Sequence, residues 1–326
     1  AFLACVYFVA MPFSVVPMPF IDMSVLKFVT LFVAALLIIS LFFGKNQLRF
    51  NIVHLFLGLY VAYSFTSLFM MTDQNSWENL RAIIETGALF VLISARIYNE
   101  REKRWLTNCW LIIGIATVLL MTIGSVVVGN PEEGRITLGI WGSREDPNML
   151  CGYFILPILI CRQRMVEKSL ILNPYRTALY FALALAMLYF AAATGSRGGM
   201  LSIAICVMIY LIVSTDGFWN KVKTVIVTAI ILGLFAAIII PVLPDTIIQR
   251  YTIESVEEDQ AAGRFVLWEV IWDSIKSSEK NIVVGQGIAS TVDILLDAGT
   301  GSTVAHNHWL QIWCDQGIIG LLLFVF

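Results

Sequence analysis

Two histidines stand where the last polar stretch of the chain meets its final apolar run, in Ala305-His306-Asn307-His308-Trp309. An imidazole titrates near neutral pH and can take a proton from a hydroxyl, which is general-base chemistry. A helix starting at that point would disfavour the imidazolium and keep such a base neutral. Two histidines beside an anchoring tryptophan at a membrane interface would read the same way, and the spacing does not choose between His306 and His308. Arginines form a second group. Thr194-Gly195-Ser196-Arg197-Gly198-Gly199 lies between two apolar runs. Its glycines allow a tight reversal with exposed N–H groups, and the Arg197 fork suits phosphate oxygens. A hairpin turn whose arginine reaches lipid headgroups has the same composition, so turn and anion site are compatible. Arg135 and Arg144 fall in the segment Gly129–Pro147, where Asp146-Pro147 before Asn148 reads as a helix start; capping accounts for Asp146 but not for Arg144. Arg264 opens a fourth candidate segment. Several arginines at one site would suit a diphosphate, whereas His54 lies apart from them and reads as structural.

The elements that position these residues are set by composition. The chain has 326 residues, of which 59% are hydrophobic and 13% charged, with a net charge of −2. Soluble domains carry about 45–50% apolar and about 25% charged residues. A mean hydropathy of +0.82 points the same way, to an all-α integral membrane protein. Soluble-enzyme, disordered and nucleic-acid-binding classes are excluded on this balance, since no basic stretch dominates. The six cysteines lie in or beside apolar runs without a C-x-x-C pair, and only three histidines are present, so neither a disulfide framework nor a metal or cofactor site is expected. The first twenty residues lack a signal-peptide pattern. With Ala1 at the start and Phe326 inside an apolar run, the sequence reads as a fragment of a longer chain.

Ten segments qualify as spans, given that about 20 apolar residues cross the hydrocarbon layer. They lie near 1–16, 24–43, 52–71, 82–98, 106–128, 148–161, 177–194, 198–214, 222–243 and 309–326, a polytopic helical bundle. Pro157 makes the sixth the least regular. Glu85 and Arg96 in the fourth are expected near its ends or facing the bundle. With alternating spans, Lys45 and Arg49, Arg101 to Arg104, Arg162 to Arg176, and Lys221 with Lys223 all fall on one side, which the positive-inside rule makes the cytoplasm. The expected organisation is a bundle over 1–243, a large extracytoplasmic loop over 244–308, and the start of a further span over 309–326. In Pro244–Ala305, ten acidic residues face four basic ones, which argues against an anionic-lipid patch there. Within it, Phe265, Trp268, Ile271, Trp272 and Ile275 recur at helical spacing as one apolar face. Gly285-Gln286-Gly287 permits a tight turn, and Asp297–Thr303 reads as mobile.

Taken together these residues resemble a family. His306-Asn307, nine residues, then Gly317-Ile318-Ile319-Gly320 is similar to the H-[NSQ]-x9-G-x-x-G signature of bacterial O-antigen ligases. Thr194–Gly199 resembles that superfamily's Ser-Arg turn, and Arg264 with Trp268, followed by Gly285-x-Gly287, resembles its large periplasmic loop. The resemblance implies a fold like the GT-C glycosyltransferases. It implies a donor glycan on undecaprenyl diphosphate, no metal or nucleotide, and an active site on the outer face of the bacterial cytoplasmic membrane. By it, His306 corresponds to the histidine that activates the acceptor hydroxyl, with His308 two residues on as the other possibility. Arg197 and Arg264 correspond to arginines that hold the donor diphosphate, with Arg144 and Ser196 beside them and Asn307, Trp268 and Asn148 in support. Expected partners are the undecaprenyl-diphosphate-linked oligosaccharide, a glycan or lipid A-core acceptor, and membrane lipids.

The superfamily holds ligases, polysaccharide polymerases and protein glycosyltransferases, among which the motifs do not choose. A polysaccharide-lipid transporter or flippase is the reading from another class. Transporters place ionisable groups near the midplane, whereas here Glu85 is the main such residue inside a span.

Overall fold

A computed structural model describes residues 1–14, 16–18, 21–43, 48–70, 74–123, 127–130, 135–140, 143–144, 146–167, 173–252 and 263–326. The helices, in chain order, are α1 (Phe2–Ala10), α2 (Val25–Phe43), α3 (Ile52–Ser64), α4 (Gln74–Ser94), α5 (Glu100–Thr122), α6 (Pro147–Val166) and α7 (Pro174–Ala193). They continue with α8 (Arg197–Val213), α9 (Phe218–Ile239), α10 (Asp245–Arg250), α11 (Arg264–Lys276), α12 (Glu279–Val283), α13 (Ser290–Asp297) and α14 (His308–Val325). Each of the ten expected segments overlaps one of these helices. Among the described residues six helices are long and apolar enough to cross a membrane: α2, α5, α6, α7, α9 with the turn that follows it, and α14. The shorter apolar helices are Phe2–Phe13, Ile52–Ser67 and Arg197–Val213. The architecture is that of an all-α polytopic membrane protein.

Two features differ from expectation. Short antiparallel pairs occur, β1 (Pro17–Met18) with β2 (Ile21–Ser24), and β3 (Val127–Asn130), β4 (Arg135–Ile140) and β5 (Ser143–Arg144) in one sheet. The polar stretch 244–305 is also not one loop with one helix, since α10 to α13 all lie within it. Thr300 donates through its N–H (3.2 Å) and its hydroxyl (2.8 Å) to the Leu295 carbonyl.

The chain forms two compact units. The first comprises Ala1–Val33 with Tyr98–Ser255, the second Ala34–Ile97 with Val256–Phe326. In the first, α6 lies against α5, α7 and α8 around Leu150, Phe154, Ile113, Met187 and Ile203. Pro157 does not break α6. It packs where a Cβ on Gly114 would lie 2.6 Å from the proline ring, so glycine on α5 makes room for it. In the second unit, α11, α12 and α13 gather against α14 around Leu267, Ile271, Ile275, Leu295 and Cys314.

Local signals in the sequence explain several boundaries. Asn51 and His54 form a reciprocal capping box at the start of α3, and His54 Nε2 sits 3.1 Å from Ser94 Oγ, which makes His54 structural as expected. Arg96 lies just past α4 and donates to Ser40 Oγ. Glu85 lies mid-helix and half-buried, where Arg81 one turn earlier pairs with it at 2.5 Å.

Candidate functional site

The second unit builds the histidine end. Asn307 is the N-cap of α14, its side chain accepting from Leu310 N–H at 3.2 Å, so His308 is the first helical residue. His306 precedes the cap with φ 51, one of two non-glycine residues with positive φ among the described residues. Histidine tolerates that region better than most side chains, but it is still sparsely populated and persists only where the surroundings impose it. The surroundings here are specific. Trp268 Nε1 donates to the carbonyl of Ala305 at 2.8 Å, and Ala305 is fully buried. His306 is thus fixed on one side by Trp268 and on the other by the Asn307 cap. Its side chain is exposed, with no hydrogen bond or ion pair among the described residues. His308 is also exposed, but its ring packs edge-on against Phe324 with centroids 5.3 Å apart.

Arg264 opens α11 after Gly263, four residues before Trp268 and therefore on the same helix face. Its Nε is buried without a hydrogen-bond partner among the described residues. The buried face of α11 is Leu267, Ile271 and Ile275, with Trp268 at its edge. Phe265 and Trp272, which share the expected apolar face of this helix with Trp268, Ile271 and Ile275, are 58% and 39% exposed. A stripe of residues four apart lies under the helix, and the rings of Phe265 and Trp272, seven residues apart, share one flank of it beyond Trp268. Trp272 meets Trp313 edge-on at 5.2 Å, and Trp313 Nε1 donates to the Ile282 carbonyl at 3.1 Å. We expect Trp268→Phe to keep the ring and lose the donor, leaving a buried carbonyl unsatisfied at a cost of about 1–3 kcal/mol. A drop in thermal midpoint would bear this out; a wild-type value would show that the tether does not matter.

Gly285 and Gly317 meet as a contact pair, while a Cβ on Gly287 would lie 3.2 Å from Met70 Cβ. Gly285 and Gly287, where the sequence permits a tight turn, have φ 85 and 108, and the chain at 283–287 passes against a break in α14. Gly317 has φ 66 and ψ −174 inside that helix, and this kink releases the carbonyls of residues 314 and 315 from their helical partners. Gln286 N–H donates to Cys314 O at 3.1 Å and Gly287 N–H to Asp315 O at 2.8 Å in their place. A Cβ on Gly285 would lie 2.5 Å from both Asp315 O and Gly317 N, and one on Gly317 would lie 2.3 Å from Val283 O. Gly320 leaves space for the Gln316 side chain, which donates to Tyr60 and Ser64 of α3 at 3.4 and 3.3 Å.

Asp315 was not singled out in the sequence, although a carboxylate within an apolar run is a signal. Buried, it accepts from Ala289 N–H (3.2 Å), Ser290 Oγ (3.1 Å), Thr291 N–H (2.9 Å) and Thr291 Oγ1 (2.6 Å). It caps α13 from a distance and supplies the acceptor that a local N-cap side chain would otherwise provide.

The first unit builds the Arg197 end. Ser196 is the N-cap of α8, accepting from Gly199 N–H at 3.0 Å, while its hydroxyl donates to Asn148 Oδ1 at 2.5 Å. Asn148 sits in the first turn of α6, which Asp146 caps through Asn148 N–H and Met149 N–H with Pro147 at the first helical position. The expected helix start at Asp146-Pro147 is therefore present, and it anchors the Ser-Arg turn. Gly195 reverses the chain at φ 64, and Gly199 admits Cys151, whose Sγ would lie 2.5 Å from a Cβ there. Arg197 is half-buried at the first turn of α8. It lines a cavity of about 360 Å3 whose other walls are apolar apart from Tyr251. Burial pushes the Tyr251 hydroxyl up to about 12, against the opposing pull of Arg250 and Arg197, so at neutral pH it is a neutral donor, to Ala192 O at 2.9 Å. Tyr251 carried no spacing signal; only folding brings it to Arg197. Arg144 lies in β5 and Arg135 in β4, and their side chains fall outside the described residues, as do Gly142 and Glu145.

Residues 182–325 match the protein-family model described as O-antigen ligase. The resemblance to the O-antigen ligase and polymerase superfamily is borne out over that stretch, and it supports a ligase- or polymerase-type function in general terms. The matched stretch takes in Ser196, Arg197, Arg264, Trp268, His306 and the glycines at 285, 287, 317 and 320, whereas Arg144 and Asn148 precede it. No curated protein and no solved structure matches the chain.

Proposed function

We propose that the protein transfers a glycan from an undecaprenyl-diphosphate-linked donor to an acceptor hydroxyl at the outer face of the cytoplasmic membrane, as an O-antigen ligase or polysaccharide polymerase. The observation that carries this reading is the His306 imidazole, exposed and unengaged on a left-handed backbone that Trp268 and Asn307 fix at the start of α14. In this reading the imidazole takes the proton of the acceptor hydroxyl. The oxygen attacks the anomeric carbon, the bond from that carbon to the diphosphate oxygen breaks, and configuration inverts. The electron pair leaves with the diphosphate, and guanidinium groups offset the charge that develops there. Arg264, with a buried Nε lacking a partner among the described residues, and Arg197, at a helix N-terminus beside a neutral tyrosine, are the groups proposed for that role. Arg144 and Ser196 are proposed to assist them. His308 is assigned a packing role, because its ring already lies against Phe324.

The test uses the protein in liposomes with the lipid-linked oligosaccharide, with and without lipid A core, and products resolved on a gel. One transfer that requires the core acceptor marks a ligase; a ladder formed without it marks a polymerase. No His306-dependent product in either arm would sink the proposal in favour of the protein-acceptor branch or the flippase reading. Arg197→Lys is expected to lose about 10²-fold or more in rate, since a point charge does not replace the bidentate fork. Near-wild-type transfer by this variant would remove Arg197 from the mechanism.

A further inference from the structure

A second site in the first unit is unrelated to the histidine and arginine motifs. A cavity of about 960 Å3 opens between α6, α7, α8 and α9. For most of its length the wall is apolar, formed by side chains such as Phe181, Val207, Ile231 and Phe235. One end is different. Arg162 near the C-terminus of α6, Tyr210 at the end of α8, and Asn220 with Lys223 in the first turns of α9 line it together, and no Asp or Glu lines the cavity anywhere. Among the described residues neither Arg162 nor Lys223 is engaged by a carboxylate, whereas Arg164 is met by Glu167 at 3.3 Å. The cavity exists because α9 leans on the bundle with little more than Thr228 buried, leaving its long apolar flank open. From Lys223 to Ile239, both in the wall, α9 rises about 24 Å at 1.5 Å per residue. That exceeds half of the roughly 30 Å hydrocarbon layer, the depth an acyl chain of one leaflet occupies.

We propose that this cavity binds an anionic phospholipid, with its phosphate between Arg162 and Lys223 and an acyl chain along α9. A second copy of the chain or another helix would have to bring a carboxylate to two unpaired cations. A phospholipid brings a phosphate and an apolar tail in the order in which the cavity presents their complements. By the charge bias of the loops the basic end faces the cytoplasmic leaflet, so the site is distinct from the proposed transfer site and does not depend on it.

The experiment is native mass spectrometry of the protein released from micelles supplied with phosphatidylglycerol or with phosphatidylcholine. Phosphatidylglycerol should be retained and phosphatidylcholine largely lost. The pair Arg162→Gln with Lys223→Gln should weaken retention by about tenfold or more. Val227→Trp, which fills the groove from an exposed lining position and keeps both charges, should have a similar effect. The exchange pair Arg162→Lys with Lys223→Arg should retain the lipid, as should Arg101→Gln outside the cavity. Equal retention of the two lipids, retention unchanged in the Gln pair, or a lipid-free dimer of the unaltered protein would overturn the proposal.

Discussion

His306→Ala is expected to abolish glycan transfer while the protein still inserts and folds. Removing a general base costs about 10²–10⁴-fold in rate. The fold does not depend on the ring, which is exposed and makes no hydrogen bond among the described residues. The backbone requires more care, because φ is 51 at this position and alanine tolerates that region less well than histidine. His306→Asn is therefore the cleaner variant: asparagine accepts positive φ, keeps polarity, and cannot act as a base near neutral pH. Both variants should lose activity alike, with a thermal midpoint near that of the parent for Asn. His308→Ala should leave the rate within a few-fold, because its ring serves the contact with Phe324. Full activity in His306→Asn, or a severe loss confined to His308→Ala, would transfer the role from one histidine to the other or remove it from both.

Gly317→Ala is expected to prevent accumulation of folded protein. The conformation, φ 66 with ψ −174, is essentially reserved for glycine, and holding another residue there costs about 1–3 kcal/mol. The space is closed as well, since the new Cβ would lie 2.3 Å from Val283 O and 2.6 Å from Gly285 N, both backbone atoms that no rotamer change can move. Yielding means parting the two chains, and with them the bonds from Gln286 and Gly287 to the carbonyls of residues 314 and 315. The summed penalty of about 3 kcal/mol or more is a large share of a typical stability of 5–15 kcal/mol. Gly233→Ala on α9, with nothing within 4 Å of its Cβ, is the matched control and should be neutral or slightly stabilising. A thermal midpoint for Gly317→Ala equal to that of the control would refute the crossing.

These two outcomes separate the meanings of one motif. In His306-Asn307-x9-Gly317-x-x-Gly320 the first residue is exposed and free for chemistry, while the second caps a helix. The glycines kink α14 and let residues 283–287 and the Gln316 side chain come close. A single spacing pattern therefore encodes one group proposed to react and three that shape the backbone holding it.

The sequence by itself determined the class of the protein and the identity of its candidate groups. Apolar runs long enough to span a membrane leave no other means of satisfying their backbone, so the helices follow from composition. Asp146-Pro147 acts within four residues of itself, which is why that helix start was legible. What only the tertiary structure decided involves partners far apart in the chain. Trp268 reaches Ala305, Gly285 meets Gly317, Asp315 caps α13, and Tyr251 joins Arg197. The cover over α11 is decided in the same way: Phe265 and Trp272 obey the helical period as well as Leu267 does, and only the packing against α14 settles which of them is buried by the protein. Periodicity fixes the angle between side chains on one helix, while burial depends on the neighbour that arrives, and no local pattern names that neighbour.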